Sequence, residues 1–140
     1  MRDVIFDISG RPVPASRPKV TKFSTYYPKA HTAYAEYLRQ VLLTIPSFIT
    51  DKPVEVRLLC VMPRYKGSDH PVYRADVDNL AKLPMDCMTK AQRFWKDDDL
   101  IVNLVAMKRF AREGEEPHTK VRIIDIVGSV EDHVDSQFFK

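Results

Sequence analysis

The sequence predicts an α/β (α+β) fold: a single compact domain with a mixed four-stranded sheet and two packed helices, in the order β-α-β-α-β-β. Three observations point there. Four segments read as strands, two carry apolar residues at helical spacing, and 140 residues suffice for one buried core but not two.

Along the chain, Val4, Phe6 and Ile8 alternate with Asp7, a strand pattern in spite of Ile5. In residues 10–19, GRPVPASRPK, three prolines (Pro12, Pro14, Pro18) bar regular structure and hold an extended loop that projects basic side chains. The period then lengthens. Tyr34, Leu38, Val41 and Leu42 share one helical face, Glu36, Arg39 and Gln40 the other, with Thr32 as the expected N-cap and Pro46 beyond the end. Val54, Val56, Leu58, Cys60 and Met62 alternate as a strand stopped by Pro63, and the polar RYKGSDHP that follows reads as a loop. A second helix is expected to begin near Asp76 to Asp78, with Leu80, Ala81 and Met88 inward. Residues 101–110 and 120–126 read as two further strands joined by the turn REGEEPHT. The domain is expected over residues 1–126 and a C-terminal tail over 127–140.

Composition narrows the classes. The chain is 44% hydrophobic and 29% charged, ordinary for a globular protein, and no apolar run has the length of a membrane span. MRDVIFDISG carries Asp3 and Asp7 and lacks the apolar region of a secretory signal, so the expected compartment is cytoplasmic. Cys60 and Cys87 form no CxxC pair, and His31, His70, His118 and His133 lack metal-ligand spacing, which argues against a zinc site.

The net charge is only +3, but it is unevenly spread. Between Asp7 and Glu36 there is no acid, while Arg11, Arg17, Lys19, Lys22 and Lys29 are interleaved with Phe23, Tyr26, Tyr27 and Tyr34. Cations and aromatic faces in one segment suit phosphates and unstacked bases; a solvated loop whose aromatics fold inward fits as well.

Acids cluster elsewhere. Asp76 and Asp78 stand where a helix begins, which suits a cap as readily as a site. Lys82 follows Asp78 by one helical turn, and Asp86 continues the face. Trp95-Lys-Asp-Asp-Asp99 then sets three carboxylates in a row before an apolar strand, where repulsion costs stability unless a cation neutralises it. Hydrolysis of a phosphodiester needs an activated water and neutralisation of the phosphate. Aspartates holding Mg²⁺ or Mn²⁺ provide both, and a lysine can stabilise the growing charge or orient the water.

DVDNLAK at 76–82 followed by WKDD at 95–98 resembles the signature of the RusA family of Holliday-junction resolvases: D-x-D-N-x-x-K where a helix begins, then a Trp-x-Asp-Asp turn. Gly10-Arg-Pro-Val-Pro14 and Arg17-Pro-Lys19 also resemble the opening of many phage and prophage members, and the likeness runs loosely from Gly10 through Arg122. It implies a homodimeric, Mg²⁺-dependent endodeoxyribonuclease (Mn²⁺ as substitute) that resolves four-way junctions in DNA recombination and repair, in a bacterium, phage or prophage. A two-fold dimer suits a pseudo-symmetric junction. Asp76, Asp78 and Asp98 match the metal-site carboxylates and Lys82 the motif lysine, with Asp97 and the extra Asp99 in support. Arg17, Lys19, Lys22 and Arg74 are the expected DNA contacts.

Several points stay open at this stage. Pro84 falls within the expected second helix, so that helix either starts late or kinks. Which of Asp97, Asp98 and Asp99 ligates is ambiguous, Trp95 reads as a core anchor or a stacking platform, and Tyr26 and Tyr27 as core or DNA contact. Two rival functions are a non-catalytic DNA-binding module with a structural acidic ion site, and a nuclease for other branched DNA such as flaps.

Overall fold

A computed structural model describes residues 2–64 and 75–139. In chain order the elements are β1 (Asp3–Ser9), β2 (Lys19–Val20), β3 (Thr25–Tyr26), α1 (Lys29–Leu43), β4 (Val54–Met62), α2 (Val77–Ala91), β5 (Ile101–Phe110), β6 (His118–Asp125) and α3 (Val130–Phe138). The four expected strands form one mixed sheet in the order β1-β6-β4-β5. β6 pairs antiparallel with both β1 and β4, and β4 pairs parallel with β5. Consecutive in sequence, β5 and β6 are therefore not neighbours: the turn between them passes the end of β4. A separate two-stranded hairpin joins β2 to β3.

One face of the sheet is the core. Val54, Val56 and Leu58 of β4, Val121 and Ile123 of β6 and Ile8 of β1 are fully buried against Tyr34, Leu38 and Leu42 of α1 and Ala81, Leu83 and Met88 of α2. Each of the larger aliphatic side chains gains roughly 1.5–3 kcal/mol from that burial. Leu80, Ala81 and Met88 face inward as the spacing predicts.

The helices depart from expectation in two places, the start of α1 and the presence of α3, while α2 begins where expected. α1 begins before Thr32: Pro28, with φ −51°, is its N-cap, and Thr32 donates its backbone N–H to the Pro28 carbonyl at 3.2 Å. Proline presets the backbone and has no N–H of its own to satisfy, so it starts the helix a turn early. α2 starts at Val77 and runs through Pro84, so the proline is interior rather than in a first turn. Its missing N–H leaves the Leu80 carbonyl without its usual partner, at a cost of roughly 3 kcal/mol in a regular helix. Burial of Leu80, Leu83 and Pro84 offsets that cost.

The second departure is α3, which lies in the segment expected as a tail. Ser129 caps it by accepting the Asp132 N–H at 3.2 Å. It meets the other face of the sheet at Glu55, which is 1% exposed. Arg57 Nε donates to Glu55 Oε2 at 2.6 Å, Asn103 Nδ2 donates to Oε1 at 2.7 Å, and His133 Nε2 of α3 lies 3.0 Å from Oε1. Arg57 also donates to Gln137 of α3 at 3.1 Å.

Burial pushes the Glu55 carboxyl up, but hydrogen bonds from Arg57, His133 and Asn103 outweigh it and hold the group below its usual range. A lowered carboxylate stabilises the fold above its unfolded pKa, and that contribution fades as pH falls through the folded value. Acidification below about pH 4.3, the ordinary glutamate value, is expected to loosen α3 before the sheet, read as amide exchange in residues 130–138. Glu55→Gln is expected to cost about 2 kcal/mol in urea unfolding, with allowance for screening of the partly exposed Arg57; an unchanged midpoint would show the network contributes nothing.

Candidate active site

Helix α2 positions most of the polar residues that the sequence singles out. Asp76 is its N-cap in extended conformation, and the Asp76 carbonyl accepts the Leu80 N–H at 3.0 Å. The Asp76 carboxylate itself makes no capping hydrogen bond, so capping does not account for the acid. Asp78 follows in the first turn, exposed, where the helix dipole favours a negative charge. Asp78, Lys82, Asp86 and Asp98 line a groove of about 600 Å³ between α2 and β5, with Ile101, Leu104 and Ala106 of β5 as an apolar wall. Asp76 opens instead into an adjoining cavity beside Arg11, Pro12 and Asn79.

Asp98 reaches the groove from a tightly held turn. Phe94 and Trp95 are both fully buried, and Trp95 Nε1 donates to Thr89 Oγ1 of α2 at 2.9 Å. Residues 48–50 pair with residues 93–96 through Phe48 N–H to Arg93 O at 2.7 Å and Lys96 N–H to Thr50 O at 3.0 Å. The Arg2 guanidinium donates to the carbonyls of Phe48 and Phe94. Trp95 is thus a core anchor, and the three aspartates follow it into solvent. Asp97 accepts the Asp99 N–H at 3.2 Å, capping the 3-10 turn Asp98–Leu100. That hydrogen bond holds the Asp97 carboxyl below the usual range. Asp98 is pushed up, chiefly by its hydrogen bond to Asp97, then by burial and by the charges of Asp97, Asp99 and Asp86. Of the triplet only Asp98 lines the groove.

The groove is long, and this matters. Asp78 and Asp86 are two turns apart on α2, a rise of roughly 12 Å, and Asp98 sits at the Asp86 end, where the two charges interact. Among the described residues no three carboxylate, histidine or cysteine side chains are gathered closely enough to hold a metal ion. The expected acids Asp78 and Asp98 and the lysine Lys82 share one groove, but among the described residues Asp76, Asp78 and Asp98 do not gather into one three-carboxylate cluster. Asp86, which the sequence places on the Lys82 face without marking it as a site residue, joins them there.

The basic segment runs beside the same helix. Ala15 N–H donates to the Asn79 carbonyl at 2.8 Å and Ser16 N–H to His31 Nδ1 at 3.0 Å, which fixes the loop against α2 and α1. Arg17, Lys19 and Lys22 are all exposed, and none forms an ion pair with another described residue. Lys22 and Phe23 lie in the β2–β3 turn; the ring is 90% exposed with the Lys22 ammonium 5.9 Å from its centre. Tyr26 and Tyr27 are about half-exposed, so neither belongs to the core. Arg74 lies outside the described residues.

With this geometry in view, the chain compares as follows. The family model described as Endodeoxyribonuclease RusA matches residues 9–124. Crossover junction endodeoxyribonuclease RusA of Escherichia coli O139:H28 (strain E24377A / ETEC) is 39% identical over 62 residues. That alignment covers 44% of this chain and 45% of the relative, so it spans just under half of either.

Because Trp95 anchors the acidic turn, Trp95→Ala is expected to lower stability by about 3–5 kcal/mol, seen as a large fall in thermal midpoint. A variant as stable as the parent would mean that the ring is not what holds the turn.

Proposed function

Since the chain belongs to the RusA endodeoxyribonuclease family, we propose that it is a Mg²⁺-dependent endonuclease that resolves four-way DNA junctions in recombination and repair, working in the cytoplasm as a homodimer. The observation that supports this best is the groove in which Asp78, Lys82, Asp86 and Asp98 stand together beside the exposed cations Arg17, Lys19 and Lys22. A basic arm draws in the polyanion that the acids alone would repel.

The donor chemistry suits a hard cation, since carboxylate oxygens are what Mg²⁺ prefers. The spacing within one chain does not, which gives the dimer a chemical reason. Among the described strands β5 is at the edge, paired with β4 only, and Leu104 and Met107 on it are each 46% exposed. A second copy laid antiparallel across β5 and α2 would bring its Asp98 to the first copy's Asp76 and Asp78, and the reverse, making two equivalent sites. Two sites about a two-fold axis match the two strands that junction resolution must cut. Bound there, the ion would activate water and neutralise the scissile phosphate. Lys82, one turn below Asp78, would meet the phosphate charge as it grows. Arg17, Lys19 and Lys22 would hold the backbone of the arms.

Labelled four-way junction, incubated beside matched duplex and flap DNA with Mg²⁺ or with EDTA, tests the reading. Paired, metal-dependent nicks in the junction are expected; preferential cutting of the flap would shift the substrate, and binding without cleavage in Mg²⁺ or Mn²⁺ would leave a DNA-binding module. Asp76→Asn is expected to abolish cleavage while junction binding persists or tightens. Loss of folding instead would make that acid structural.

The shared site has its own test. Asp78→Asn and Asp98→Asn are each expected to be inactive, yet a mixture of the two should regain nicking, because one site in each mixed dimer keeps both native acids. No recovery in mixed dimers would place both acids in the same chain's site. Lys19→Ala is expected to weaken binding to all DNA sequences and to lower the salt slope by about one unit; an unchanged slope would exclude a phosphate contact.

A further inference from the structure

On the flank of α2 away from β5, the proline-rich loop and α1 enclose a cavity of about 350 Å³ lined by Arg17, Tyr27, His31, Lys82, Asp86 and Lys90. It shares Asn79, Lys82 and Asp86 with the acidic groove, so the two meet across one helix face. Lys82, Asp86 and Lys90 follow at four-residue intervals, and Arg17 faces them from the loop. Three cations oppose one carboxylate there, so unlike the groove next to it this cavity suits an anion. Its volume falls within the roughly 300–1,000 Å³ of small-ligand sites.

The wall of the cavity is aromatic. His31 stacks on Tyr27 with ring centres 4.3 Å apart and planes 12° from parallel, and Tyr27 remains 48% exposed. Burial lowers the His31 pKa; the Asp86 charge opposes the shift and the Lys82 and Lys90 charges add to it. Because Nδ1 accepts the Ser16 N–H, the imidazole proton sits on Nε2. A neutral imidazole backing a half-exposed phenol gives a flat, sequence-tolerant platform, and cations stand beside it. A planar base joined to a phosphate has the matching chemistry.

We propose that this cavity is the subsite for the nucleotide adjoining the scissile phosphate, its base stacked on Tyr27 and its own phosphate held by Arg17 and Lys90. Lys82, common to both cavities, bridges from the subsite to the phosphate that is cut. The assignment rests on the nuclease reading, and it adds a binding element on α1 and the loop that the acidic motif does not contain.

The test uses four-way junctions in which the nucleotide on the 5′ or the 3′ side of the mapped cut is replaced by an abasic residue. The parent protein is expected to cut one of the two roughly tenfold more slowly than the intact junction. Tyr27→Ala should cut the intact junction about as slowly as the parent cuts that abasic one, with no further loss on the abasic substrate. Tyr27→Phe, which keeps the ring, should behave as the parent does. An equal abasic penalty in the parent and in Tyr27→Ala, or none in the parent, would overturn the subsite. If the parent cuts no junction at all, the nuclease reading fails. The same comparison of intact and abasic junctions by binding in EDTA then decides the subsite alone.

Discussion

Two adjacent strands that run parallel cannot be joined by a tight turn, and that constraint governs this molecule. β4 and β5 lie side by side in the same direction, so the chain must return the full length of the sheet between them, and α2 is the return. Asp76 and Asp78 are therefore laid at one end of the helix and Asp98 just past the other. The groove between α2 and β5 is the seam of that crossover, and its length separates the acids. A short motif in sequence becomes an extended feature in space, and this is why the described residues of a single chain hold no cluster of three carboxylates.

Charge is treated in two opposite ways. Glu55 is buried, yet Arg57, Asn103 and His133 all reach it, so its charge is satisfied within the fold. Asp78, Asp86 and Asp98 face a groove in which, among the described residues, Lys82 is the only cation that lines the wall. Asp98 is even pushed toward its protonated form by its acidic neighbours. A fold that satisfies one carboxylate completely and leaves Asp86 and Asp98 facing each other's charge has arranged the second pair for something outside itself.

Much of the architecture was legible in the sequence, because strands that bury one face announce it. Val54 to Met62 and Ile101 to Phe110 match the observed β4 and β5 to the residue. α3 was not read, although Gly128 and Ser129 precede an Asp three residues on, a usable start signal. Its inward residues are His133 and Gln137, while Val134 and Phe138, which do fall at helical spacing, are exposed; its partner Glu55 looked like the solvent side of a strand. Pro28 likewise outweighed Thr32 because a preset backbone starts a helix without needing a side-chain cap. At the site, the residue types and the Asp78–Lys82 face relation were readable. The distance from Asp78 to Asp98 was not, since it depends on whether β4 and β5 run parallel, and no local pattern states that. The half-exposure of Tyr26 and Tyr27 depends in the same way on where the hairpin projects.

β6 has a consequence of another kind. It is the last of the described strands in chain order, yet it is inserted between β1 and β4, with Asp3 opposite Ile124. Among the described residues β1 has no other partner in the main sheet, and the β4 edge that β6 covers stays open until residues 118–125 exist. Such long-range closure is slow and leaves apolar strand edges exposed while it waits. β1 must therefore wait through the making of every element between it and residues 118–125. A chain stopped short of those residues has no closed sheet, and its open strand edges expose it to chaperones and proteases.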